Sequence, residues 1–460
     1  MPYMKKGIWL TILALVVTLV IAFLLRYQNF ASVPLPGQST DEYSNTWVGL
    51  SLIRLGMPVG ISGLVGIKNY PTYINPDRIL SSTVPGGALA ISYPWFDHPP
   101  MMGIASGAFA YLSGERNFGD VALLTIRKPV VVLGTVTVGL LFWLAALWFG
   151  PVTALIISLL YATSPLIVIG SRMVQAENGL VPVWLLSLIL LTLTQKKDRP
   201  NLIRWAAFFA GLTVLFKLSG IVAIISGVFI IGRKRRSLIE FLMISLSVAF
   251  LFVIYGLAID TREFMAVFLS NTSRVYGIGL DAIYDLFTST KITSTKYLTD
   301  GWPLVGWLGM IYLAAKKDKS SLFVLICLAS YLAIYILFGS ASYGWYRIPF
   351  MPFLFIAAGY FISEGVTNSN YLVSAIALLI PLGVNLSRLF EINKVPLLIL
   401  IMRFGILGLM ILLLTGLVWP ENRIFRNFSR SAVILLLVAA VLTNILYLQK
   451  INVDYWYKVN

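Results

Sequence analysis

The residues of this chain that can do chemistry are few, and they stand in five short sets. The first is the carboxylate pair Asp41-Glu42 in GQSTDEYSNTWVGL, preceded by Ser39 and Thr40. Such acids can take a proton or simply cap a helix; the apolar Trp47, Leu50, Ile53 and Leu55 that follow predict an amphipathic helix with both acids in its first turn. The second is YPWFDHPP, where His98, the only histidine, follows Asp97 and precedes Pro99 and Pro100. The prolines fix the backbone, so a rigid loop end presents an imidazole and a carboxylate suited to a phosphate or a sugar, or to plain surface packing. The third is SPLIVIGSRMVQAENG, an apolar run ending in Arg172 and Glu177, which reads as a helix-end ion pair or as part of a site. In the fourth, GLTVLFKLSG, Lys217 ends an apolar run, either snorkelling to the interface or offering an ammonium to a phosphate. The fifth, SASYGWYRIPFMP, sets Tyr343, Trp345, Tyr346 and Arg347 before another apolar run. Aromatic belts of membrane proteins look like this, and so do sugar-phosphate sites built on stacking and charge-assisted hydrogen bonds.

The elements that must position these residues are set by composition. With 58% hydrophobic residues, 12% charged residues and a mean hydropathy of +0.85, the chain has too little polar surface to cover a soluble globule of 460 residues. Apolar segments fit to span run over 7–25, 121–148, 151–170, 179–194, 201–219, 221–232 and 237–257, then 303–315, 320–338, 348–362, 371–387, 396–418 and 432–449. The fold expected is an all-α polytopic bundle of about 13 transmembrane helices. The first segment is long enough for a retained anchor, with no small-residue cleavage site after it. The formal charge of +16 is spread as short clusters between apolar runs, which marks topology signals and not a nucleic-acid surface. Cys327, the only cysteine, lies inside an apolar run, so no disulfide framework or cysteine metal site is expected.

Residues 99–113 are apolar but short. If they lie along the interface without crossing, then Lys5-Lys6, Lys196-Lys197, residues 233–236, Lys316-Lys317-Lys319 and Arg423-Arg426-Arg430 all fall on the cytoplasmic side. They are therefore read as a juxtamembrane helix whose glycines suit close packing. This topology makes 26–120, 171–178, 258–302 and 339–347 external, and all five chemical sets converge on that face.

On these residues the chain resembles the C-type (GT-C) glycosyltransferases, specifically the branch of the protein O-mannosyltransferases and the aminoarabinose transferases of lipid A. The likeness runs over residues 7–365, leaving 366–460 as C-terminal transmembrane helices without a soluble domain. The resemblance implies a polyprenyl-phosphate monosaccharide donor and transfer, with inversion, to an acceptor hydroxyl on the outer or lumenal face. It implies that Asp41 takes the proton from, or orients, that hydroxyl, that Glu42 and Glu177 assist, and that Lys217, His98, Arg172 and Arg347 stabilise the leaving phosphate. Asp97, Tyr343 and Tyr346 complete the implied donor site. The chain departs from the family in having Glu177 where aspartate is common, Ser44 where some members are basic, and no large C-terminal domain. The Trp-Trp-Asp motif of oligosaccharyltransferases is absent, so transfer of a whole oligosaccharide is not expected.

No cofactor is required by the sequence; a divalent cation could sit on Asp41 and Glu177, although no histidine-rich ligand set exists. The expected partners are the lipid-linked sugar, an acceptor of unspecified type and membrane lipids, without nucleic acid, in a multi-pass protein of the cytoplasmic membrane if prokaryotic. A transporter or flippase of lipid-linked glycans is the competing class. It would place ionisable groups near the bilayer midplane and show repeated halves, and the apolar runs here are nearly free of acids.

Overall fold

The structure is a computed structural model that describes all residues except 1, 36–37, 40, 62–73, 76–77, 80–82, 85–86, 89–90, 117–120, 198, 200, 273–282, 285, 288–290, 294–295, 339–342, 368–370, 394–395 and 459–460. Thr40, parts of the external segments 26–120 and 258–302 and the start of the 339–347 turn lie outside the described residues.

The described residues are mostly helical. In order, the helices are α1 (Pro2–Tyr27), α2 (Asp41–Leu55), α3 (Met101–Leu112), α4 (Leu123–Phe149), α5 (Pro151–Thr163), α6 (Pro165–Gly170), α7 (Ala176–Lys197), α8 (Leu202–Phe216), α9 (Ile221–Ile231) and α10 (Arg235–Thr272). They continue as α11 (Trp302–Lys316), α12 (Lys319–Phe338), α13 (Met351–Thr367), α14 (Tyr371–Asn393), α15 (Pro396–Val418), α16 (Arg423–Lys450) and α17 (Val453–Lys458). Short antiparallel ladders occur only between α2 and α3 among the described residues, as where Gly60–Ile61 meets Ile91–Ser92. Nine helices among the described residues are long and apolar enough to cross a bilayer; α5, α8 and α9 are apolar but shorter. Every apolar segment expected to span is helical. At ~1.5 Å per residue α3 covers about 18 Å, against ~30 Å of hydrocarbon, a shortfall it shares with α5 and α9.

Three predicted segments differ in detail, each for a local reason. The 151–170 run is two helices, because Pro165 cannot continue α5 and Ser164 instead caps α6 by accepting from the Ile167 amide. The 201–219 run stops at Phe216, since Lys217 is extended (φ −157°, ψ 144°) before a 3-10 turn at Leu218–Gly220. The external segment expected from residue 258 begins as helix: α10 kinks at Asp260, whose carboxylate accepts from the Glu263 amide at 3.0 Å, and runs on to Thr272.

Helix α7 is nearly enclosed, whereas α1 and α15 expose most of their apolar side chains, as lipid-facing helices do. Polar pairs lock the centre: Trp184 Nε1 donates to Ser226 at 3.1 Å, and Thr153 bonds Ser363 at 2.8 Å. The C-terminal helices join the rest through Asn385 Nδ2, which donates to the buried Asp300 carboxylate at 3.3 Å, and through Trp456, which donates to Gln38. At one end of the bundle Lys196 reaches the Leu147 carbonyl, Lys316 pairs with Glu364 and Arg204 pairs with Glu240. The chemical sets are at the other end.

Candidate functional site

The site grows from the docking of α2 on α3. A Cβ at Gly49 would stand 1.8 Å from the Gly103 carbonyl oxygen, and one at Gly107 would stand 2.3 Å from the Leu50 amide, so the two backbones touch. Thr46 Oγ1 donates to Ser106 across this contact at 3.1 Å. Because the glycines permit no side chain, the interfacial helix after the histidine loop fixes the helix that carries the acids.

Asp41 opens α2 and is half-buried. Glu42, next to it, is fully buried and takes a different role from its neighbour. Its carboxylate accepts from Arg127 Nε at 2.8 Å, from Arg127 Nη2 at 2.6 Å and from the Val174 amide at 2.9 Å. Arg127 also donates to the carbonyls of Phe30 (2.7 Å) and Pro34 (2.9 Å), so this guanidinium stitches the α1–α2 connection to α4. An arginine in an apolar segment needs such a partner.

Arg172 and Glu177, five residues apart in sequence, do not pair with each other. The Arg172 guanidinium donates to the carbonyls of Arg26 (3.1 Å), Val33 (3.1 Å) and Leu25 (2.7 Å), capping the end of α1. Burial, followed by the guanidiniums of Arg127 and Arg26, lowers the Arg172 pKa to about 9. The turn it occupies is tied to α2 twice, by Glu42 to the Val174 amide and by Gln175 to the Ser39 hydroxyl. Asn178 closes the same turn on the carbonyls of Gly170 and Met173.

Glu177, fully buried in the first turn of α7, accepts instead from Lys217 Nζ through Oε1, while its Oε2 has no hydrogen-bond partner among the described residues. Lys217 reaches it because the chain is extended between α8 and the 3-10 turn, and its Nζ lies 3.7 Å above the Tyr346 ring. Tyr346 stands in a 3-10 helix, Gly344–Phe350; its carbonyl accepts from Tyr331 at 2.9 Å, and its ring meets Tyr343 edge-on at 5.5 Å. Tyr343 in turn stacks on Trp345 at 4.8 Å. The ammonium is thus held between a buried carboxylate and an aromatic face, which fixes its position.

Asp97 and His98 are half-buried. Their loop is clamped by the part of α10 beyond the kink: Asn271 Nδ2 donates to the Asp97 carbonyl at 3.1 Å, and Phe96 packs edge-on against Phe264. His98 meets Trp95 edge-on at 6.0 Å. Tyr93, ahead of the loop, and Phe216, ahead of Lys217, pack on one apolar cluster that includes Trp47, Val174 and Ala176. Arg347 is buried and lines a small cavity with Asp300 and Lys291.

The predicted residues therefore gather at one end of the bundle, in linked groups. Ser39 meets Gln175, Glu42 meets Val174, Glu177 meets Lys217, and Lys217 meets Tyr346. Arg172 is near, but its guanidinium is spent on backbone carbonyls. Sequence reading missed Arg127, Gln175, Asn178 and Asp300; a charge in an apolar run flagged the first, and nothing distinguished the others from ordinary turn residues. Among the described residues, no three His, Cys, Asp or Glu side chains come together as a metal set.

Comparison with known proteins bears on the fold. Residues 97–259 match the family model described as dolichyl-phosphate-mannose-protein mannosyltransferase, a stretch that holds Asp97, His98, Arg172, Glu177 and Lys217. No protein of curated function matches in sequence. Among solved structures, the chain is similar to ArnT from Cupriavidus metallidurans in the apo state (TM-score 0.57, 15% identity, 97% of this chain and 77% of that one). It is also similar to the same protein bound to undecaprenyl phosphate (TM-score 0.55, 16% identity, 96% and 77%). The fold is that of the C-type glycosyltransferases. A weaker likeness, to an Archaeoglobus fulgidus oligosaccharyltransferase tethered with an acceptor peptide, covers 96% of this chain and 55% of that one (TM-score 0.50, 14% identity). The C-type fold read from five short sets is thus the fold of the whole bundle.

Proposed function

We propose that the chain is a membrane glycosyltransferase that moves a monosaccharide from a polyprenyl-phosphate donor to an acceptor hydroxyl, with inversion, at the outer face. The observation that carries this is the Lys217 ammonium, held between Glu177 and the Tyr346 ring beside the docking site of the acid-bearing helix. A phosphate needs a fixed cation, and a sugar needs aromatic faces to pack on. The likeness to a protein crystallised with undecaprenyl phosphate, and to a family named for a dolichyl-phosphate sugar, agrees with a lipid-phosphate donor.

In this reading the acceptor oxygen attacks the anomeric carbon, its proton passes to Asp41, and the bond from that carbon to the phosphate oxygen breaks. The lipid phosphate leaves with the bonding pair, and Lys217 and His98 stabilise its growing charge. Glu42 is a positioning residue, since three donors already occupy its carboxylate. Arg172 likewise holds the frame, with its donors on carbonyls. A divalent cation on Asp41 and Glu177 fits poorly, because the Lys217 ammonium already lies on Glu177, and no step is drawn through one.

The test is to supply purified protein with polyprenyl-phosphate hexoses and pentoses carrying a labelled sugar, and to follow release and transfer by wild type and by Asp41→Asn. Loss of turnover with donor binding retained supports the assignment. Equal turnover by both proteins removes Asp41 from the chemistry, and absence of any donor binding removes the function.

A further inference from the structure

At the end of the bundle opposite the candidate site, a groove of about 620 Å³ opens between the first turns of α8 and α10. The two helices touch further along, where a Cβ at Gly211 would stand 2.4 Å from the Ser245 carbonyl oxygen, and the groove lies toward their N-terminal ends. Its rim is cationic, with Arg204, Arg235 and Arg236, and its inner wall is apolar, with Ile239, Met243 and Ile244. One acid is present, Glu240, and it is paired with Arg204. Arg235 and Arg236 are exposed and have no ion pair among the described residues, which leaves two guanidiniums in excess. Below them Ile239 and Met243 are largely exposed on a flank that a bilayer would cover.

We propose that this groove holds the headgroup of an anionic phospholipid, from the leaflet that the positive-inside rule assigns to the cytoplasm. Charge complementarity selects the ligand: two free guanidiniums match a phosphodiester, and the apolar wall beneath them matches the first methylenes of its acyl chains. A free phosphate would use the arginines and leave the apolar wall without a partner. An uncharged lipid would use the wall and leave the arginines without one. The groove is separate from the candidate donor site, with the long helix α10 running between the two ends.

The experiment is native mass spectrometry of the full chain in detergent, titrated with phosphatidylglycerol, with phosphatidylcholine of the same acyl chains, and with inorganic phosphate. Phosphatidylglycerol should be retained at least tenfold better than phosphatidylcholine, and inorganic phosphate at matched concentration should not displace it. Each unpaired arginine removed should weaken retention about fivefold, so Arg235→Gln with Arg236→Gln lowers it about 25-fold. Glu240→Gln, which frees Arg204, should tighten it and serves if the double variant does not fold. Arg423→Gln with Arg426→Gln, a basic cluster at the same end but outside the groove, should leave retention unchanged. Equal retention of the two lipids, displacement by phosphate, or an equal loss in the Arg423/Arg426 variant would each overturn the proposal.

Discussion

Replacing Arg127 by methionine strands the Glu42 carboxylate in a place that no water reaches. In the native protein that carboxylate accepts two bonds from Arg127 and one from the Val174 amide, and the same guanidinium satisfies the carbonyls of Phe30 and Pro34. Both partners are fully buried, so the substitution leaves an uncompensated acid and two carbonyls without their donor, at a cost of about 3–5 kcal/mol. Glu42→Gln should cost a similar amount, because it leaves Arg127 without its counter-charge beside Arg172, whose own pKa burial and then the neighbouring guanidiniums already depress. Removing both charges together should cost about 2 kcal/mol less than the sum, since neither charge is then left alone. The chain provides its own reporter: Cys327 is the only cysteine and is fully buried, so a thiol-reactive dye reads unfolding directly in detergent. Single variants within about 1 kcal/mol of wild type, or costs that add to within about 0.5 kcal/mol, would refute the claim that this pair holds α2 in place.

Other expectations follow from the same contacts. Asp41→Asn should lower kcat by about 10²–10⁴ with little change in KM for the donor, read in a sugar-transfer assay. Gly49→Ala should destabilise the protein by at least about 2 kcal/mol, because its Cβ meets the Gly103 backbone, whereas Gly383→Ala, with nothing nearby, should be neutral or slightly stabilising by dye-monitored melting. Asp318 caps α12 by accepting from the Ser321 amide (2.9 Å) and hydroxyl (2.6 Å). Burial acts to raise its pKa, but these bonds and Lys316 outweigh it, and the net shift is downward. The folded protein therefore prefers the charged form: the cap's contribution is present above a pH of about 4 and is lost as pH falls through the depressed value. Asp318→Ala should cost about 1 kcal/mol at neutral pH, and the difference should shrink in acid.

Much of the fold was legible because lipid leaves so few options: each apolar run of sufficient length had to be a helix, and each is. Misplaced boundaries fell where a single residue overrides the run, as at Pro165, Lys217 and Asp260. The convergence of the five chemical sets was legible through the charge rule, which orders helix ends without knowing what they carry. Partners were not legible. Arg172 and Glu177 are five residues apart and look like a pair, yet the turn between them aims one at the carbonyls of α1 and the other at a lysine from α8. Asp41 and Glu42 show the same division within a helix's first turn, where a rotation of ~100° per residue separates a half-buried acid from a fully buried one.

The direct test of the donor site is equilibrium binding of a labelled polyprenyl phosphate to wild type, Lys217→Met and Asp41→Asn. The Lys217–Glu177–Tyr346 cluster predicts at least tenfold weaker binding for Lys217→Met and wild-type affinity for Asp41→Asn. Wild-type affinity in Lys217→Met would contradict it.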